Sequence, residues 1–200
     1  MKTIITTAAI LLVTVFGLSN STYATAAKDS QAYTILTNVS NINKIEVHGN
    51  VELYISAGAT DEVKVYNQYY KETALVQNQN GALCISSYKT EKLVVWITAS
   101  DLRNLEVYDN ASVKSFGKLS AIDIDVKLYD NATARLDVDA FKANITLNDN
   151  ARANVAGNIN YAAFKYNKVS MLTTTNLVAD NIVKTDVDGI KDSAADFVSL

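Results

Sequence analysis

Apolar and polar residues alternate through three copies of one short phrase. It runs Leu105-Glu-Val-Tyr-Asp-Asn-Ala-Ser-Val113, then Val126-Lys-Leu-Tyr-Asp-Asn-Ala-Thr-Ala134, then Ile145-Thr-Leu-Asn-Asp-Asn-Ala-Arg-Ala153. Leu105, Val107, Ala111 and Val113 fall on one side, as do Val126, Leu128, Ala132 and Ala134, while Glu106, Tyr108, Lys127 and Tyr129 fall on the other. A period of two predicts strands, and the Asp-Asn pair that interrupts it predicts a bend between two of them. Asn tolerates left-handed backbone better than other residues with a side chain, so Asn110, Asn131 and Asn150 are the predicted bend-makers. The copies are 21 and 19 residues apart. Repetition at roughly 20 residues marks a stack in which no unit buries its apolar face alone. The predicted fold is all-β: a parallel β-helix or solenoid-like stack of coils about 4.8 Å apart, with a more antiparallel N-terminal portion. In that register Asn110, Asn131 and Asn150 form a structural ladder of amide hydrogen bonds.

A weaker copy opens the domain, Ile45-Glu-Val-His-Gly-Asn-Val-Glu-Leu53, with Gly49-Asn50 in place of Asp-Asn and His48 in the outward position of Tyr108. Val63 to Tyr66 and Leu75 to Ser86 alternate again, and Asn80-Gly81 between two such runs predicts a tight hairpin. Leu93 to Ile97 is continuously apolar and predicts a strand covered on both faces. Beyond Val155 the phrase fades; Ala163 to Asn167 reads as a fourth copy, and Val178-Ala-Asp-Asn181 as a further Asp-Asn bend. The expected organisation is residues 1–26 as signal peptide, 27–44 as leader and first strand, 45–187 as the coiled domain, and 188–200 as a tail or end cap. A short helix at Ser193 to Val198 is the one helical pattern, and a boundary near Ser100 is the alternative division.

The leader changes the picture of where the chain works. Lys2, the apolar run Ile4 to Leu18 and the small residues up to Ala24-Thr25-Ala26 have the form of a cleavable export signal. The apolar run is shorter than the roughly 20 residues that span a bilayer. Its removal predicts an exported protein, periplasmic or at the cell surface, that does not span the membrane once processed. Net charge is −3 and becomes −4 when the leader takes Lys2 with it, which argues against nucleic acid as a partner. Cys84 is the single cysteine, so it has no internal disulfide partner; its apolar run predicts a buried, inert thiol. His48 is the single histidine, an outward residue with no second His to build a zinc site. Proline is absent and glycines number seven, which leaves turns to Asn, Asp and Ser.

An export signal, a first strand pair such as Ile45 to Ile55, an Asn-Gly hairpin and then β repeats of about 20 residues together resemble the "putative auto-transporter adhesin, head GIN domain" family. The resemblance covers Ile45 to about Val187 and implies an exported, β-rich protein of the Bacteroidetes type. It supplies no active site. The chain departs from the family in using Asp-Asn at bends where glycine or serine is frequent there. The C-terminal residues show no alternating strands of a membrane barrel to support the transporter part of that description.

Three candidate chemistries remain. Asp109, Asp130 and Asp149 stack one per coil, about 5 Å apart. That separation suits a retaining glycosidase pair or a calcium ion. Like charges that close cost about 1 kcal/mol per pair even in water, so the row must be solvated, partly protonated or neutralised. The plainer role is an Asx-turn at each bend. Tyr108 and Tyr129, continued by Asn148, form an outward strip suited to a sugar or protein ligand, or simply to cross-strand pairing. A Ser-His-Asp triad would have only His48 to draw on, and no nucleophile elbow or phosphate loop occurs. The chain therefore reads as a non-enzyme: an exported β-solenoid module that binds a glycan or a protein of the cell envelope. The alternatives are a polysaccharide-cleaving β-helix enzyme using the stacked aspartates, and a structural envelope spacer. No cofactor is required, and calcium is the one ion the pattern suggests.

Overall fold

The computed structural model describes residues 33–37, 39–66 and 74–187. The predicted signal peptide, most of the leader, the tail at 188–200 and its predicted helix lie outside the described residues. Fourteen strands form among those described. They are β1 (Thr34–Leu36), β2 (Lys44–Gly49), β3 (Val51–Ala57), β4 (Glu62–Tyr66), β5 (Ala74–Gln79), β6 (Ala82–Ser87) and β7 (Leu93–Ala99) in the first half. The second half adds β8 (Asn104–Val107), β9 (Ser112–Ser115), β10 (Leu119–Leu128), β11 (Thr133–Leu147), β12 (Arg152–Tyr166), β13 (Met171–Thr173) and β14 (Leu177–Asp186).

All belong to one curled, mixed sheet, ordered β1-β4-β7-β3-β9-β11-β10-β8-β2-β6-β5, with β12 on β11 and both β13 and β14 on β12. The repeated phrases are its parallel part. Val126 pairs in register with Leu105 and Ile145, and Ile145 pairs with Phe164. Ala163 to Asn167 is thus a fourth copy in place. Asp180 and Asn181 are not a bend: they lie inside β14, with Asn181 opposite Tyr161. Local sequence does not separate the two uses of Asp-Asn, because apolar residues flank the pair here too and only the continuous pairing with β12 keeps it extended.

Alternation decides what is inside. Leu105, Val107, Ala111, Val113, Val126, Leu128, Ala132 and Ala134 are all buried, in one core that runs from Ile42 to Phe164. That continuity crosses Ser100, so the described residues form a single unit. The core is aliphatic; among the described residues Phe164 is its one fully buried aromatic. The N-terminal half is mixed. Strands β4 and β7, β1 and β4, and β5 and β6 pair antiparallel, while β2 and β3 join the parallel stack through β8 and β9. Asn80 and Gly81 close the β5–β6 hairpin with φ of 52° and 83°, as a two-residue turn of the primed type requires.

Two predicted environments are corrected. Cys84 is not buried; it is half-exposed on the outer side, because β6 alternates with Leu83 and Ile85 inward. The Leu93–Ala99 strand is not covered by a second layer either. Leu93, Val95 and Ile97 face the core, and Trp96 on the other side is covered by neighbouring aromatic rings. Among the described residues no helix is long and apolar enough to cross a membrane.

Candidate ligand-binding face

The predicted rows stand at the corner where each coil turns. Ala111 N–H donates to the Tyr108 carbonyl at 3.2 Å, Ala132 N–H to Tyr129 at 3.0 Å and Ala151 N–H to Asn148 at 3.1 Å, closing three equivalent four-residue turns. The left-handed residues are Asp109, Asp130 and Asp149, with φ of 59°, 57° and 56°, and not the asparagines. Positive φ at the second place of a turn is the primed geometry, and Gly49 takes it in the first coil with φ of 80°.

The hydrogen bonds show why aspartate holds that place. Gly49 N–H donates to Asp109 Oδ2 at 2.9 Å, Asp109 N–H to Asp130 Oδ2 at 3.1 Å, and Asp130 N–H to Asp149 Oδ2 at 3.2 Å. Each carboxylate satisfies a donor on the adjacent coil, where an Asx-turn would have satisfied its own. One residue on, Asn131 Nδ2 donates to Asn110 Oδ1 at 3.2 Å and Asn150 Nδ2 to Asn131 Oδ1 at 3.4 Å. The carboxylates stand in single file at the surface.

The outward strip is a stack of rings. Tyr108 lies 4.6 Å from Tyr129 with planes 1° apart, and His48 lies 4.4 Å from its other side at 5°. Asn148 continues the row, its N–H on the Leu128 carbonyl as that of Tyr129 is on Val107. Both faces of Tyr108 are therefore occupied, and its hydroxyl donates to Glu106 at 3.1 Å. Burial, then Glu106, pushes the Tyr108 phenol up. Burial alone would raise Glu106, yet hydrogen bonds from Tyr108 and Lys44 hold it below the usual carboxylate range. Tyr108 therefore offers only its edge to a ligand, its two faces being covered by His48 and Tyr129.

A second outward row runs across six neighbouring strands. Trp96 pairs with Tyr54, Tyr54 with Lys114, Lys114 with Arg135, Arg135 with Asn154, and Asn154 with Thr173. Tyr54 and Trp96 stack at 4.5 Å, and Phe116, 65% exposed, meets Trp96 edge-on at 5.4 Å. Lys114 sits 5.4 Å over the Tyr54 ring and bonds Glu52 at 2.6 Å, which together with its other donors holds Glu52 below the usual range. Past Lys114 the row enters a groove of about 350 Å³ lined by Lys114, Thr133, Arg135, Arg152, Asn154 and Met171. Arg135 and Arg152 are exposed, and no carboxylate among the described residues engages either guanidinium. The polar half of this row was legible: the residue one place past each phrase, turned outward by the alternation, is Lys114, Arg135 and Asn154 in turn. The aromatic half was not, because 42 residues separate Tyr54 from Trp96 and only sheet pairing joins them.

Comparisons with known proteins agree with this architecture. A structure described as a "putative lipid binding protein" from Parabacteroides distasonis superposes with a TM-score of 0.61 at 10% identity, covering 76% of this chain and 77% of that one. A "putative adhesin" from the same organism gives 0.56 at 13% identity, with 76% of each chain covered. Another from Parabacteroides merdae gives 0.53 at 14% identity over the same shares. At such identities the likeness is one of fold. No curated protein matches the chain. A family model matches residues 41–190, three-quarters of the length, and the chain belongs to that family, described as "putative auto-transporter adhesin, head GIN domain".

Proposed function

We propose that this domain is a non-catalytic binding unit of an exported, adhesin-type protein, and that it holds an acidic glycan of the cell envelope along the Trp96–Tyr54–Lys114–Arg135 row. The observation that carries the proposal is one outward row in which stacked aromatics lead, through Lys114, into a groove that holds two unengaged guanidiniums. Aromatic surface takes the apolar face of a sugar ring, and the planar guanidinium fork takes a carboxylate in two hydrogen bonds. Parallel registers at steps of 21, 19 and 19 support reading the stack as turns of a solenoid. A rigid stack of that kind presents a row of evenly spaced contacts to a linear polymer. Family membership supports export, to the periplasm or the cell surface.

A glycan array probed with the full chain tests this. Acidic glycans should be captured, and the Arg135→Ala/Arg152→Ala pair should weaken capture about tenfold or more, given roughly 1.5–3 kcal/mol for each lost charge-assisted bond. Undiminished capture by that pair would refute the groove. The corner strip is the second reading, favoured by the Tyr108 and Tyr129 edges beside the Asn148 amide. Loss in Tyr108→Ala/Tyr129→Ala, with the arginine pair unaffected, would move the site there.

A further inference from the structure

We infer that Glu46, His48 and Cys84 form a binding site for a zinc-class divalent ion. Among the described residues, theirs are the side chains that bring three potential ligand atoms together, all within 4.8 Å of one another. The parallel pairing of β2 with β6 sets Glu46 opposite Cys84 and His48 opposite Ser86. Alternation turns Glu46, His48 and Cys84 to the same outer, half-exposed side. This wall is separate from the one that carries the proposed glycan row.

Thiolate, imidazole and carboxylate are the donor set of zinc and its neighbours rather than of calcium or magnesium. Three protein ligands leave one position of a tetrahedral ion open to water or to a group on a ligand. Bonds of about 2.0–2.3 Å put tetrahedral donors about 3.5 Å apart, so rotation of the side chains by about 1 Å closes the site on a fixed backbone. Two contacts prepare it. The His48 ring is held in one plane by Tyr108 at 4.4 Å. Lys44, which holds Glu46 at 2.5 Å, also reaches Glu106 at 3.3 Å, so it keeps a carboxylate when Glu46 turns to the ion.

The test is a cobalt titration of the reduced full chain, followed by displacement with zinc. One equivalent of cobalt should produce tetrahedral ligand-field bands and a thiolate charge-transfer band, both abolished by zinc. Cys84→Ser should remove the charge-transfer band, and Glu46→Gln and His48→Gln should each weaken zinc binding at least about tenfold, the loss that even outer partners of a metal site cause. Asp130→Asn should bind as the parent does. Zinc should also protect the Cys84 thiol of the parent from alkylation, a readout that needs no variant to fold. Absence of the charge-transfer band, unprotected Cys84, or Cys84→Ser binding zinc like the parent would each overturn the site.

Discussion

Asp130 and Asn131 are adjacent and do different work. Asp130 carries the left-handed backbone and accepts the Asp109 N–H; Asn131 adds amide bonds at 3.2 and 3.4 Å on the exposed side. Asp130→Ala places an intolerant residue at φ 57° and leaves that N–H without its acceptor, and should destabilise by about 2–3 kcal/mol. Asn131→Ala should cost about 1 kcal/mol or less. Urea melts of the two variants check the order, and equal midpoints would show that the carboxylate row is not what secures the corner. The sequence pointed to both columns but exchanged their roles. Asn and Asp both tolerate the left-handed region, and only the adjacent coil's N–H distinguishes them.

At the scale of the element, three successive Asp-Asn corners each bury an alanine on the inside. Ala111, Ala132 and Ala151 are fully buried, and each coil's next N–H bonds the alanine carbonyl of the coil before, Thr133 on Ala111 and Arg152 on Ala132, both at 3.0 Å. A larger side chain there forces the two walls apart or breaks the ladder. Ala132→Leu should therefore destabilise by about 1–3 kcal/mol despite adding apolar surface. Calorimetry checks this, and a gain in stability would mean the corner is less tightly packed than described. The same alternation that placed these alanines inward also places Cys84 outward. Reading Ala82 to Ile85 as a continuous apolar run hid that, since two small residues were counted with Leu83 and Ile85.

Across the whole molecule, acidic groups tie distant segments together. Asp61 accepts Ile42 N–H and Ser100 N–H, each at 2.8 Å, and those bonds outweigh burial to hold it below the usual range. Glu52 is depressed chiefly by Lys114, and Glu106 by donors that outweigh its burial. A carboxylate depressed in the folded state stabilises the fold above its unfolded value of about 4, and that contribution is lost as pH falls through the lower folded value. The melting temperature should accordingly hold from neutral pH to about 5 and drop below about 4, with Glu52→Gln flattening part of the drop. A rise in melting temperature on acidification would contradict these three assignments.

What the sequence alone determined is periodic: strands from alternation, the 21 and 19 residue steps, the parallel register of the repeated strands, the Asn-Gly hairpin and the family. Each depends on residues near in the chain, or on one phrase repeated, and needs no knowledge of the path between copies. Tertiary structure alone decided which chemistry meets. Trp96 reaches Tyr54 through the β3–β7 pairing, and Cys84 reaches Glu46 and His48 through β2–β6. Those pairings are set by how two segments about forty residues apart share a buried core, a choice made by total burial and hydrogen-bond closure that no local pattern records.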